Sequence, residues 1–283
     1  MSEYKQEQPI SPYMAMFEEF RKELDEHHDR RERIVKASRD ITAASKKIIF
    51  TLQRVRKLGV PLPPYVNKSN EEYWKTIETR FREIAPDVQN VNAYRYPQLT
   101  WGNQEFMEAL SFQHYLETQT LISYEQAKSR VAALCGDGPT VPLTIEDYVL
   151  GIYDMIGELM RFSITAMALN GNLPAGEPRK APAGEDSPMI NGEETAAAPE
   201  EPRNVLTDMR HIEQELEFFH PGPGTPFEKD VNGKAKVMHQ CIGKVELANY
   251  SLTVRGKERP KGWRPDLAER PKEEDTRAEV ETF

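Results

Sequence analysis

Apolar residues recur along this chain at helical spacing, and nowhere do they alternate with polar ones over the length of a strand. The clearest repeat lies near the N-terminus. Ile34, Ile41, Ile48 and Val55 stand seven residues apart, and Ser38, Ser45 and Leu52 fill the same stripe. A seven-residue period is that of a helix–helix seam, and serines within it let a neighbouring backbone come close. This predicts a first helix from about Pro12 to about Leu58, with "RKELDEHHDRRER" giving its other faces to water. "GVPLPP" (59–64) ends it, because proline inside a helix removes a hydrogen bond and clashes with the preceding turn. Tyr73, Trp74, Ile77 and Phe81 form the stripe of a second helix over 70–84. Residues 85–103 read as an irregular connection with Tyr94, Tyr96 and Trp101 packed. Helices follow over 103–118, 123–136 and 145–168, the last opened by Thr144 and Asp147, which resemble a capping box. Two more span 204–219, with Leu206, Ile212, Leu216 and Phe219, and 228–254, with Val237, Cys241, Val245, Ala248 and Leu252. The expected fold is all-α, one bundle of six or seven helices.

Composition interrupts that bundle once. Residues 173–202 are rich in Pro, Gly, Ala and acids and almost lack large apolar side chains, so burial cannot repay their ordering entropy. They read as a disordered insert within a helical domain over 14–258, flanked by a flexible arm at 1–13 and a flexible tail at 259–283. No stretch approaches the roughly 20 apolar residues that cross a bilayer, and "MSEYKQEQPI" has no apolar signal region. Cys135 and Cys241 have no metal-ligand spacing and read as reduced thiols. The expected location is cytoplasmic, with the nucleus a second compartment.

Charge changes the choice of partners. The net charge is −9, whereas a chain that grips nucleic acid alone usually presents a basic face to the phosphates. Basic character is local, in "SKKIIFTLQRVRK" (45–57) and "RGKERPKGWR" (255–264). A nucleic-acid role would draw much of its grip from a partner subunit.

The candidate chemistry sits in "QEFMEALSFQHYLE" (104–117) and "YDMIGELMR" (153–161). Residues three or four apart share a helix face, so Glu105 with Glu108 and Asp154 with Glu158 each make a two-carboxylate patch. If the helices pack together, four carboxylates converge. Hard cations favour oxygen ligands, and two such ions about 4 Å apart can clamp a phosphodiester for in-line attack. Spacing alone favours the other reading, in which Asp147, Gly151, Asp154, Glu158 and Arg161 form one polar stripe facing water, with Arg161 pairing with Glu158. A di-iron site would need two Glu-x-x-His pairs, and only "EFFH" (217–220) qualifies. His27, His28, His114, His211, His220 and His239 are scattered without a pairing motif, and His114 reads as a packed residue. The chain has no serine nucleophile elbow, Cys–His signature or Gly-rich phosphate loop.

Four segments resemble one family. "ELDEHHDRRERIVKASRDITAASKKIIF", "EALSFQHYLETQTLIS", "DYVLGIYDMIGELMR" and "GKVELANYSLTVRG" closely resemble, in the same order and over most of residues 14–260, segments of the Trax (translin-associated) branch of the translin family. The resemblance implies an all-α translin-type fold and partnership with translin in a hollow hetero-octameric shell. It also implies a Mg²⁺-dependent endoribonuclease for single-stranded RNA, in which the Trax-type chain supplies the catalytic acids and translin much of the RNA binding. Passenger-strand removal in RNA silencing and tRNA-leader processing are the roles such complexes have. The family's catalytic, metal-binding acids fall on Glu105, Glu108, Asp154 and Glu158, all acids here. Arg21, Lys46, Lys47 and Arg54 are candidate RNA contacts. Residues 1–13 lack the basic cluster found in some relatives, and the insert at 173–202 is its own. The alternative is a non-catalytic scaffold that stabilises translin and modulates its nucleic-acid binding.

Overall fold

The computed structural model describes residues 13–176 and 203–255. The expected arm, insert and tail fall outside them, but for Tyr13 and residues 173–176. Eight α-helices are present among the described residues: α1 Met14–Leu52, α2 Pro64–Ile84, the single turn α3 Asn92–Arg95, α4 Leu99–Thr118, α5 Tyr124–Cys135, α6 Ile145–Asn170, α7 Val205–Glu217 and α8 Pro226–Arg255. No strand accompanies them there; one isolated bridge pairs Ala175 with Asn204. The all-α expectation holds. The chain divides into two compact units, one of residues up to Val55 and Pro61–Met155, the other of Arg56–Val60 and residues from Ile156 onward.

In the first unit the seven-residue seam is the core of α1. Ile34, Ser38, Ile41, Ser45, Ile48, Leu52 and Val55 are all buried. The serines do what their size allows. Ser38 Oγ donates to the Gln98 carbonyl at 2.8 Å and accepts from the Gly102 amide at 3.1 Å. A Cβ on Gly102 would sit 3.0 Å from that hydroxyl, so α4 meets α1 nearly backbone to backbone. Phe106 of α4 then lies edge-on to Phe81 and Trp74 of α2, at ring-centroid distances of 5.1 and 6.1 Å.

Three boundaries and several exposures differ from expectation. The first helix stops at Leu52 rather than Leu58. The second starts at Pro64, six residues earlier than expected, because proline's fixed φ and missing N–H suit a first helical position. Of the prolines expected to close the first helix, Pro64 instead opens α2, and α1 has already ended at Leu52. The fourth helix begins at Leu99, inside the expected connection. Tyr96 is buried there, but Tyr94 and Trp101 are 89% and 68% exposed. The close approach at Gly102 turns the face carrying Gly102, Asn103 and Phe106 inward and leaves Trp101 on the other side.

In the second unit, Asn204 caps α7 by accepting from the Thr207 amide at 2.9 Å. Helices α7 and α8 are joined by Arg210, which donates twice to Glu246 at 2.9 and 2.6 Å. Phe219 and Phe227 meet edge-on at 5.8 Å. On α8, Cys241, Val245 and Ala248 are buried as expected, but Val237 is 56% exposed and Met238 takes the inward position beside it. No helix among the described residues is long and apolar enough to cross a membrane.

Candidate functional site

The acid-bearing part of the first unit is built where α6 lies on α4. At Gly151 the backbones come so close that a Cβ would fall 2.5 Å from Met107 Cβ and 3.1 Å from the Gln104 carbonyl oxygen. Only a residue without a side chain fits. One turn earlier, Asn103 Nδ2 donates to Asp147 Oδ2 at 3.0 Å and to the Pro142 carbonyl at 3.2 Å. The contacts advance in the same direction on both helices, 103 with 147 and 104–108 with 151. The two therefore run parallel, and Asp154 occupies the next turn of α6. The start of α6 is as the sequence implied: the Asp147 amide donates to Thr144 Oγ1 at 3.0 Å. Burial pushes the Asp147 carboxyl above its ordinary range, with the Asn103 hydrogen bond acting against it.

These contacts decide between two sequence readings of α6. The stripe of Asp147, Gly151, Asp154 and Glu158 does not face water. Asp147 is 1% exposed, Gly151 is buried, Asp154 is half-buried and Glu158 is 6% exposed. Arg161 alone in the series is largely exposed, and it reaches back to Glu158 Oε1 at 2.9 Å.

Each candidate acid has a distinct setting. Glu105, with a quarter of its side chain exposed, has Oε1 at 3.2 Å from Lys46 Nζ of α1. Glu108 is half-buried on the turn of α4 beside Gly151. Asp154 belongs to the first unit, and Glu158, one turn later on the same helix, to the second. Of the candidate RNA contacts, Lys46 is the one brought to an acid. Lys47 lies over the Tyr73 ring at 5.1 Å, and Arg54 over Phe50 at 4.9 Å. Arg21 is on the exposed first half of α1.

One group was missed by sequence reasoning. Glu213 and Glu217 of α7 and His239 of α8 bring one ligand atom each within 4.8 Å of the others. The Glu213/Glu217 spacing was legible in "EQELE"; its partner, 22 residues beyond Glu217, was not. The remaining candidates are structural. Burial raises both the Cys135 and Cys241 thiols, and burial lowers the His114 imidazole, which is hydrogen-bonded to Thr120 at 3.2 Å.

The translin family model matches residues 29–256, a span that takes in all four acids, Lys46 and the α7–α8 group. The chain belongs to the translin family. It is similar to translin-associated protein X of Mus musculus, at 31% identity over 276 residues, 91% of this chain and 84% of that protein. The translin-associated protein X homolog of Schizosaccharomyces pombe is 35% identical over 154 residues, 53% of this chain and 61% of its own length. Among solved structures, apo-NeC3PO aligns with a TM-score of 0.51 at 17% identity, covering 84% of this chain and 98% of the other. That likeness is one of fold. Within the translin family, then, this chain resembles the translin-associated branch that its sequence segments pointed to.

Proposed function

We propose that this chain is the catalytic subunit of a translin-partnered, Mg²⁺-dependent endoribonuclease that cleaves single-stranded RNA. The observation that supports it best is the seating of α6 on α4 at Gly151. Glu105 and Glu108 stand on the α4 turns at that contact, Asp154 one turn beyond Gly151 on α6 and Glu158 one turn further, which supports a shared role for the four acids. Carboxylates gathered on packed helices repel one another and lose hydration, so a cation among them relieves both costs.

The donor set fits Mg²⁺. Glu105, Glu108, Asp154 and Glu158 offer oxygen alone, without imidazole or thiolate, which is what a hard cation takes. Bound there, Mg²⁺ would neutralise charge on the scissile phosphate and make an attacking water more acidic. The chain's own groups supply the rest. The four carboxylates hold and orient, and Glu108 or Glu158 accepts the proton of the attacking water. Lys46 is largely exposed and 3.2 Å from Glu105, so it can take a phosphate oxygen at the edge of the acids. Lys47, Arg54 and Arg21 extend positive charge along α1. With a net charge of −9, most of the RNA grip falls to a partner. That similar proteins are named for association with translin supports translin as that partner, in a hetero-oligomer.

The test is cleavage of a short single-stranded RNA by the chain co-expressed with translin from its own species, in Mg²⁺ and in chelator. The Glu105→Gln/Asp154→Asn double variant is run alongside, with assembly checked by sedimentation. Mg²⁺-dependent cutting that disappears in an intact variant complex supports the catalytic reading. Equal cutting by both, or cutting by neither, returns the chain to the scaffold role.

A further inference from the structure

We propose that Glu213, Glu217 and His239 form a second metal site, of zinc type, that staples α7 to α8. Glu213 and Glu217 are four residues apart and share one face of α7. His239 comes from α8, and its Nδ1 lies 2.7 Å from Glu213 Oε1. One ligand atom from each residue lies within 4.8 Å of the other two. Around an ion with bonds of about 2.0–2.2 Å, neighbouring ligand atoms stand roughly 3.4 Å apart. Reaching that spacing takes a closing of at most about 1.4 Å at the widest pair and an opening of about 0.7 Å at the Glu213–His239 pair, within the reach of side-chain rotation.

Two further observations point to a cation. Among the described residues the exposed Glu217 carboxylate has no hydrogen-bonding or ionic partner, although it is held beside a second carboxylate. Like charges at that spacing repel, and a divalent ion reverses the sign of the interaction. The scaffold is also set beforehand. The two hydrogen bonds from Arg210 to Glu246 fix the helix pair on one side of the group, and the Phe219–Phe227 contact fixes the other. Met209, Ile212, Met238 and Ile242 are buried beneath. Ligands placed on packed helices keep their geometry better than ligands on loops.

The donor chemistry selects the ion. One imidazole with two carboxylates suits Zn²⁺, which takes nitrogen and oxygen ligands in fourfold sites, whereas Mg²⁺ prefers oxygen throughout. The exposed rim leaves the fourth position to water. None of the four acids on α4 and α6 takes part, so this proposal stands or falls apart from the ribonuclease reading.

The full chain, purified with its partner and stripped with chelator, is titrated with Zn²⁺ by calorimetry, and bound zinc is counted by mass spectrometry. One equivalent per chain is expected, surviving millimolar Mg²⁺ and lost in His239→Ala and in Glu213→Gln. The loss should exceed the roughly 10–100-fold that removing an outer hydrogen-bond partner of a metal ligand costs. His220→Ala, an exposed histidine outside the group, keeps the equivalent, and RNA cleavage is unchanged in all three variants. The altered residues lie at the exposed side of the helix pair, and thermal melts without metal check that each variant folds. Wild type and His239→Ala binding equal zinc, or wild type binding none, overturns the proposal.

Discussion

The α4–α6 contact of the first unit and the α7–α8 pair of the second both carry carboxylates spaced three or four residues apart on a helix, yet the two pairs are joined by different means. Between α4 and α6 the backbones touch at Gly151, and a buried amide–carboxylate bond joins Asn103 to Asp147. Between α7 and α8 the ties are side-chain ends, the exposed Arg210–Glu246 pair and an edge-on contact of two phenylalanines. The same local spacing therefore leads to unlike chemistry. On α4 and α6 it yields buried or half-buried acids, the donor set of the proposed Mg²⁺ site. On α7 and α8 it yields a half-buried and an exposed acid beside an imidazole that is hydrogen-bonded to the first, the donor set of the proposed zinc site. Spacing supplies the donors, and the neighbouring helix decides what they can hold.

The largest effect that would sharpen this contrast is catalytic. Glu105→Gln with Asp154→Asn should lower RNA cleavage by at least on the order of a hundredfold, since single groups that stabilise charge at a reacting centre are each worth about 10²–10³. The same double variant should bind as much zinc as wild type. Zinc lost together with cleavage would break the separation of the two regions.

Next in size are two glycine substitutions of opposite sign. Gly151→Ala forces a methyl against Met107 Cβ and the Gln104 carbonyl. Overpacking of that kind costs about 1–3 kcal/mol, more than the ~1 kcal/mol that alanine gains over glycine inside a helix. The variant should melt earlier. On α8, a Cβ at Gly243 meets nothing within 4 Å, so Gly243→Ala keeps the helical gain and should be more stable by about 0.5–1 kcal/mol. Denaturant titration of both checks the pair; a neutral Gly151→Ala would mean that α6 does not depend on backbone contact with α4.

The smallest effect expected is a pH dependence at Asp147. Its carboxyl is raised in the folded chain, chiefly by burial. A raised acid favours folding while it is protonated, and that advantage fades as pH rises through the folded value. Relative to wild type, Asp147→Asn should therefore gain stability as pH rises from the ordinary carboxylate range through the raised folded value, and hold that gain above it. The amide oxygen still accepts from Asn103. A stability difference that stays flat with pH, or that favours wild type at neutrality, would show that burial does not govern this contact.

The sequence alone determined a good deal of this protein. The seven-residue period named the seam of α1 from Ile34 to Leu52, since a helix carries its own periodicity wherever it packs. Thr144 marked the start of α6, because a cap is a local bond between residues three apart. The family segments placed the chain among translin relatives. Tertiary structure decided what the local pattern left open. Periodicity says which residues share a face but not what the face meets, so the α6 stripe fitted water better than it fitted α4 until Gly151 brought the backbones together. Tyr94 and Trp101 were expected inside and lie outside, and Met238 sits inward where Val237 was expected, because burial depends on the neighbour's position as well as on hydrophobicity. His239 reaches Glu213 by the antiparallel return of α8 along α7, a contact between residues 26 apart that no local spacing encodes.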